Sequence, residues 1–200
     1  MPNWCSCELE ITGKEAELKR FKNFAMTKKT SDVDEDNLGK EDRDYVLDTN
    51  KFIPYPKKFT EQDEKCNRYR NLKNKKKLTI KEKKELMMME LKPQNYENDG
   101  YNNGGYGWCN LNWGTKWGIC HEELYEESKE HLNYHFDCAW SPCYPVIVKM
   151  SELFPELNFE MSYDEESYAF EGEYECKAGE VICDEQREGT PPEDEEEEEE

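Results

Sequence analysis

Aliphatic residues are scarce in this chain of 200 residues. Leucine, isoleucine, valine and phenylalanine together number 32 of 200, or 16%, and the net charge is -20 at pH 7. This combination is typical of disordered proteins, because a chain with few large apolar side chains buries too little surface to fold. Twelve tyrosines and five tryptophans supply the missing apolar area. The composition therefore predicts a compact domain with an aromatic-rich core.

Long apolar runs are also absent. No segment approaches the ~20 consecutive apolar residues of a transmembrane helix. Residues 1–13 lack the basic start and the apolar stretch of a signal peptide. The nine cysteines are odd in number and irregularly spaced, unlike those of a secreted disulfide scaffold. We therefore expect a soluble protein of the cytoplasm, with reduced thiols and no membrane partner.

Positive charge is confined to one part of the chain. Residues 57–84 carry 12 basic and 4 acidic side chains, whereas residues 85–183 carry 5 basic and 20 acidic ones. Residues 184–200 carry 11 acidic side chains, one arginine and no aliphatic or aromatic residue. This segment predicts a disordered acidic tail, because ordering its backbone would cost roughly 1 to 2 kcal/mol per residue with no burial in return.

Alternation of apolar and polar residues predicts the first strand, over residues 4–12. We expect Cys5, Leu9 and Ile11 to be buried and Glu8 and Glu10 to be exposed, because only one face of the sheet is covered. Similar patterns predict helices over 14–26, 122–132 and 146–154, and strands over 113–119, 134–139, 158–163 and 168–176.

The order of these elements reduces to a strand, a helix, a long insertion, two strands, a helix and two strands. It predicts an α+β fold of ferredoxin-like topology, a split βαβ antiparallel sheet with helices on one face. This domain spans residues 1–183, and a long helical insertion occupies about 27–107. Within it we expect charged helices over 59–77 and 78–92, the second with a capping box of Thr79 and Glu82, and a loop over 94–107.

Several short motifs carry a resemblance to a known family. They are Met-Pro-Asn-Trp-Cys at 1–5, Phe-Ile-Pro-Tyr-Pro at 52–56, Asn-Trp-Gly-Thr-Lys-Trp at 112–117, Ala-Trp-Ser-Pro at 139–142, Leu-Phe-Pro at 153–155 and Phe-Glu-Gly at 170–172. In this order they resemble the YubB-type ferredoxin-like family of uncharacterised phage- and plasmid-borne proteins. Cys143 and the acidic tail depart from the pattern. The resemblance implies the fold and an origin on a mobile genetic element, and it implies no catalytic residue.

Four potential metal ligands, His131, His135, Cys138 and Cys143, lie close together in the sequence. His135 and Cys138 are three residues apart on a predicted strand, so their side chains should leave opposite faces. The cysteine spacing fits neither of the common iron–sulfur patterns. We therefore expect no metal site, no cofactor and no catalytic residue.

Two further groups of residues leave alternatives open. The first group, which we call the basic patch, comprises Lys73, Lys75, Lys76, Lys77, Lys81, Lys83 and Lys84. It is a solvated helix surface, a docking site for the acidic tail or a contact with nucleic acid. The second group, which we call the aromatic cluster, comprises Trp108, Trp113, Trp117 and Trp140. It either lines a pocket or, as we favour, belongs to the core.

Acidity itself suggests a function. The acids of residues 85–183 provide a negative surface, for which Glu122, Glu123, Glu126 and Glu127 are the candidate partner-binding residues. We favour a non-enzymatic protein-binding module of a phage or plasmid, an acidic inhibitor that mimics DNA and binds a host defence protein. Its partner would be a host or phage protein with a basic surface. The alternatives are a nucleic-acid-associated protein that uses the basic insertion helices and a thiol- or metal-dependent enzyme.

Overall fold

A six-stranded sheet and two helices form the body of the protein. The computed structural model describes residues 3–28, 44–91, 96 and 98–191. The strands are β1 (Trp4–Thr12), β2 (Cys120–Glu127), β3 (His131–Ala139), β4 (Asn158–Glu165), β5 (Glu171–Lys177) and β6 (Glu180–Arg187). The helices are α1 (Glu15–Ala25), α2 (Thr49–Phe52), α3 (Lys57–Asn74), α4 (Ile80–Glu90), α5 (Tyr106–Trp113) and α6 (Tyr144–Leu153). No helix in the described ranges is long and apolar enough to cross a membrane.

The sheet has the ferredoxin-like topology that the sequence predicts. Its strand order is β2-β3-β1-β4-β5-β6, and every neighbouring pair is antiparallel. The first four strands, with α1 after β1 and α6 after β3, form the split βαβ unit. The strands β5 and β6 extend this unit beyond β4.

The sheet has one face covered by helices and one open face. On β1 the side chains of Cys5, Leu9 and Ile11 are buried in the core, whereas Glu8 and Glu10 are exposed, which confirms the alternation. The core of the covered face is rich in rings, as the composition predicts. Phe21 of α1 is fully buried and contacts rings from α2, β3 and β4 and the ring of Phe154, which directly follows α6.

The insertion contains the predicted pair of charged helices, α3 and α4. Thr79 and Glu82 form the capping box at the start of α4, as expected. The insertion continues beyond the predicted boundary at 107, because residues 101–105 form a kinked turn and α5 follows directly. Residues 94, 95 and 97 of the predicted loop lie outside the described residues.

Two predictions of secondary structure are wrong. Residues 113–119 are not a strand, because α5 ends at Trp113 and a loop leads to β2. The side chains of this loop bind backbone oxygens elsewhere: Thr115 Oγ1 donates to Ala139 O at 2.9 Å. Residues 122–132 are not a helix, because pairing with β3 gives the backbone of β2 hydrogen-bond partners that its sequence does not reveal.

The predicted start of the acidic tail at residue 184 is also wrong. Residues 184–187 belong to β6 and pair with β5. Arg187 donates from Nε to Glu171 Oε1 at 2.6 Å, so a charged pair contributes to this junction where no apolar residue is available. Residues 192–200 of the predicted tail lie outside the described residues.

Candidate functional site

The open face of the sheet carries a dense array of carboxylates, which we call the acidic face. Side chains of directly paired residues share a face, so the register of the six strands assigns twelve acids to it, against one lysine and one arginine, Lys177 and Arg187. The acids are Glu123 and Glu126 of β2, Asp137 of β3, Glu8 and Glu10 of β1, Glu160 and Asp164 of β4, Glu171, Glu173 and Glu175 of β5, and Glu180 and Glu185 of β6.

Like charges lie directly opposite one another on this face. Glu10 pairs with Glu160, and Glu160 pairs with Glu175, so three carboxylates cross three strands in one row. Adjacent strands are about 4.8 Å apart, and like charges at this spacing destabilise a sheet. Asn158 Nδ2 donates to Glu160 Oε1 at 2.7 Å and to Glu175 Oε1 at 3.2 Å, which offsets part of that repulsion.

A shallow depression lies in the middle of the acidic face. Its volume is about 370 Å³, and Tyr125 and Asn133 line it together with five glutamates. These are Glu8, Glu10, Glu160, Glu173 and Glu175. The depression is wide and open, so it fits a protruding side chain of a partner better than an enclosed small molecule.

Burial and the neighbouring carboxylates both raise the pKa of groups on this face. Burial, followed by the charges of Glu171 and Glu8, raises the pKa of the Asp164 carboxyl. Burial, followed by Glu8 and two further glutamates, likewise raises the pKa of the Tyr125 hydroxyl. Negative charge accumulates here because more acids than bases share the face.

The raised pKa of Asp164 makes a prediction about stability. A carboxyl with a higher pKa in the folded state favours folding when it is protonated, and this contribution is lost as pH rises through the folded pKa. Replacing Asp164 by asparagine should therefore raise the free energy of unfolding at pH 7, and the gain should disappear below about pH 4, the unfolded pKa of aspartate. Urea unfolding of both proteins from pH 3 to pH 7 measures this. An equal gain in the free energy of unfolding at pH 3 and at pH 7 would contradict a raised pKa of Asp164.

The four acids singled out from the sequence do not form one surface. Glu122 is 3% exposed and lies within the structure. Glu127 extends to the helix side and forms an ion pair with Lys22 of α1. Glu123 and Glu126 lie on the acidic face, where they are paired in register with His135 and Asn133. Only these two of the four are therefore placed for a partner on the open face.

The four predicted tryptophans divide into two groups. Trp108 and Trp113 pack against each other and against Tyr55, with ring centroids 5.3 to 5.6 Å apart, and Trp113 is buried as predicted. Trp117 and Trp140 are instead 43% and 52% exposed. The prediction that Trp113 and Trp117 share a strand face fails because no strand forms there.

A surface group, which we call the tryptophan cluster, consists of Trp4, Trp117 and Trp140 with Lys116 and His121. The ring of Trp4 lies 5.9 Å from that of Trp117 and 5.0 Å from that of His121. The Lys116 ammonium lies 3.9 Å from the Trp117 centroid and 5.7 Å from the Trp140 centroid. His121 Nδ1 lies 2.8 Å from Asp137 Oδ2, so the cluster adjoins the acidic face.

The sequence motifs at 1–5, 112–117 and 139–142 meet at this cluster. The backbone N–H of Trp140 donates to Asn3 O at 3.0 Å, and Ser141 Oγ donates to Gly114 O at 2.7 Å. Gly114 has φ of 78°, and a Cβ there would lie 2.8 Å from Cδ of Pro145. The loop therefore approaches the start of α6 as closely as only glycine allows.

The basic patch lies on the α3–α4 hairpin, away from the rings and acids of the sheet. All seven of its lysines are exposed, which confirms the prediction of exposure. Lys75 Nζ donates to Glu82 Oε1 at 2.8 Å, and this bond lowers the pKa of Glu82 to about 2.

The predicted metal ligands are not brought together. His135 lies on the open face and Cys138 on the covered face, as their spacing predicts. His131 contacts Ser128 and Glu126. In the part of the chain that the structure describes, no group of three or more His, Cys, Asp or Glu side chains is arranged to hold a metal ion.

Buried thiols cluster beneath β1 and β3. Cys5, Cys7, Cys138 and Cys143 are fully buried, and all nine cysteines, which lie within the described ranges, are in the reduced form. Burial raises the pKa of Cys7 and Cys138, so both are protonated at neutral pH. A protonated, inaccessible thiol is a poor nucleophile.

The sequence did not reveal a serine–histidine contact on the open face. Ser6 Oγ lies 3.0 Å from His135 Nε2. A hydrolytic site would need a third group to orient the histidine, and among the described residues no hydrogen bond is formed by the other ring nitrogen of His135. The pair lies on the open face of the sheet, where Glu8 is the residue paired in register with His135.

Comparison with known proteins agrees with this fold. Residues 108–200 match a family model described as the ferredoxin-like domain in Api92-like protein. The C-terminal part of the chain is similar to that family. The crystal structure of protein Api92 from Yersinia pseudotuberculosis matches with a TM-score of 0.51 and 12% identity, covering 96% of this chain and all of that one. At this identity the likeness shows the fold alone. No curated protein matches the chain.

The Api92-like match spans β2 to β6, which form most of the sheet, as well as α5 from Trp108 onwards and α6. It supports the predicted ferredoxin-like fold and assigns no activity. The more specific YubB-type resemblance and the phage or plasmid origin stay predictions.

Proposed function

We propose that the protein is a non-enzymatic module that binds a basic protein surface through its acidic face. The row of Glu10, Glu160 and Glu175 carries this proposal. Directly opposed carboxylates reduce the stability of the sheet, and residues that cost stability are common where function requires them.

The geometry favours a macromolecular partner. Side chains at alternate positions of a strand are about 6.8 Å apart, and neighbouring strands are about 4.8 Å apart, so the carboxylates form a regular two-dimensional array. A rigid array keeps its charges in place without ordering them on binding, which reduces the entropic cost of association. DNA also presents dense negative charge at fixed positions, and this supports DNA mimicry as the mode of binding.

The identity of the partner is part of the same proposal. The family resemblance of the sequence suggests a host or phage protein, and a DNA-binding defence protein of the host would have the complementary basic groove. Such an encounter would take place in the cytoplasm and would be accelerated by electrostatic attraction.

Capture from a bacterial lysate tests this function with three immobilised proteins. They are the wild type, an acidic-face variant with Glu10, Glu160 and Glu175 replaced by glutamine, and a matched variant with the exposed Glu61, Glu64 and Glu90 of the insertion helices replaced by glutamine. Both variants lose three charges. We expect the wild type and the matched variant to retain a basic protein that duplex DNA displaces, and the acidic-face variant to lose it. Equal capture by all three proteins would overturn the proposal.

A second candidate function rests on the basic patch. Its seven exposed lysines lie on α3, on α4 and in the turn between these helices, and ammonium groups of this kind suit contact with the phosphates of a nucleic acid. In that case duplex DNA should bind directly, with an affinity that falls steeply as salt increases. Replacing Lys76, Lys77 and Lys84 by glutamine should then weaken DNA binding, whereas the acidic-face variant should not.

A further inference from the structure

The tryptophan cluster has an arrangement that packing of the core does not require. Three indole rings are brought together from β1, the loop after α5 and the end of β3, and two of them are about half exposed. Two of the non-glycine residues here have a positive φ, 77° at Trp140 and 51° at His121. Strained backbone of this kind costs of order 1 to 3 kcal/mol for each residue and is concentrated at functional sites.

The exposed rings already hold a cation. The ammonium of Lys116 lies over the face of Trp117 and within 5.7 Å of the Trp140 centroid, both within the range of a cation–π interaction. Indole offers the strongest such interaction of the aromatic side chains. The cluster is therefore chemically suited to a positively charged group.

The surroundings also favour a cation over a nucleic-acid base. Asp137 contacts His121 within the cluster, and Asp164, Glu8 and Glu171 lie nearby on the acidic face. Exposed rings do stack on bases, but this requires a phosphate backbone to lie beside them. Carboxylates repel phosphates and attract cations. The negative charge of this surface therefore favours a cationic ligand over a nucleic acid.

We propose that Trp4, Trp117 and Trp140 bind an arginine or lysine side chain of the same basic partner, and that Lys116 competes for this position. The inference rests on the proposed function, since it concerns the partner of the acidic face. Charge on the face attracts the partner, and the rings anchor one cationic side chain through contacts that salt screens less than it screens exposed ion pairs.

An octa-arginine peptide is the probe for this site. Its affinity is measured in 0.15 M salt by fluorescence anisotropy for the wild type and for Trp117→Leu and Trp117→Phe variants. We expect the leucine variant to bind roughly 3- to 30-fold more weakly, the range that corresponds to the loss of one cation–π interaction. Phenylalanine keeps an aromatic face and should restore most of the affinity, which a role of Trp117 in packing alone does not predict.

A second pair of variants tests the competition. Replacing Lys116 by methionine should strengthen binding of octa-arginine, because the resident cation is removed. Lys129 is exposed in the turn between β2 and β3, and Lys129→Met removes one charge without touching the rings. Equal effects of the two substitutions would show that Lys116 acts through net charge and would overturn the competition.

Indole N–H signals in NMR spectra locate the contact. Octa-arginine should shift the signals of Trp4, Trp117 and Trp140 and leave that of Trp113 unchanged, since its Nε1 is bonded to Ile53 O at 2.9 Å. Octathymidylate is the alternative ligand, and tighter binding of it to the same three indoles would overturn the choice of a cation.

The two proposals fail in different ways. If the acidic-face variant binds octa-arginine as the wild type does while Trp117→Leu does not, the acidic face has no role and the proposed function fails. If the acidic-face variant loses affinity and Trp117→Leu binds normally with unshifted indoles, the cation-binding role of the tryptophan cluster fails and the proposed function stands.

Discussion

Replacing Phe21 by alanine should lower the free energy of unfolding by about 3 to 5 kcal/mol, the usual cost of removing a buried ring. Phe21 is fully buried between the sheet and the helices, and its ring lies 5.1 to 6.2 Å from those of Phe52, Tyr134, Phe154 and Phe159. In a chain with few aliphatic residues, this ring cluster supplies a large share of the apolar surface buried in the core, beside the buried leucines. Urea unfolding monitored by circular dichroism measures the change.

Phe24 provides the matched control for this prediction. It lies one turn further along α1 and contacts Phe52 and Phe154, but it is 39% exposed. Its replacement by alanine should cost about 1 kcal/mol, because water already contacts part of the ring. A similar cost at both positions would contradict a core centred on Phe21.

Neutralising the carboxylate row should have the opposite effect on stability. Glutamine at positions 10, 160 and 175 removes two directly opposed like-charge pairs and should stabilise the protein at pH 7 by roughly 0.5 to 2 kcal/mol. Glutamine is chosen because its amide oxygen still accepts the bonds from Asn158. The same three substitutions should weaken the binding of a basic partner, so stability and binding would change in opposite directions.

The matched variant at Glu61, Glu64 and Glu90 should change stability by less than about 0.5 kcal/mol, as exposed substitutions usually do. Thermal and urea unfolding at low and high salt measure the stability of the acidic-face variant and of the matched variant. The gain of the acidic-face variant should shrink at high salt, because salt screens the repulsion in the wild type. A loss of stability in this variant would mean that the carboxylates support the sheet and are not a cost to it.

The covered face of the sheet was predictable because its side chains alternate with a period of two. Cys5, Leu9 and Ile11 report this period directly, and Thr79 and Glu82 mark the start of α4 in the same local way. β2 and β6 were missed because polar and charged residues interrupt the alternation of apolar and polar side chains in both sequences. Both are edge strands, and each forms its backbone hydrogen bonds with one neighbouring strand, a partner that its own sequence does not reveal.

The acidic face could not be predicted from the sequence, for a different reason. Glu10, Glu160 and Glu175 are widely separated in the chain, and only the register of three strands places them in one row. Register depends on pairing partners that a single sequence does not specify. The tryptophan cluster was hidden in the same way, since Trp4 and Trp117 come from distant segments and the alternation around Trp117 indicated a strand.

Chemical-shift mapping with octa-arginine tests most directly whether the acidic face is the binding surface. Backbone amide signals of the isotopically labelled full chain are followed during titration in 0.15 M salt. If the acidic face is the binding surface, the largest changes should lie along β1, β4 and β5, around Glu10, Glu160 and Glu175, and should be absent in the acidic-face variant. Changes confined to the insertion helices or to residues 192–200, with these three strands unaffected, would contradict it.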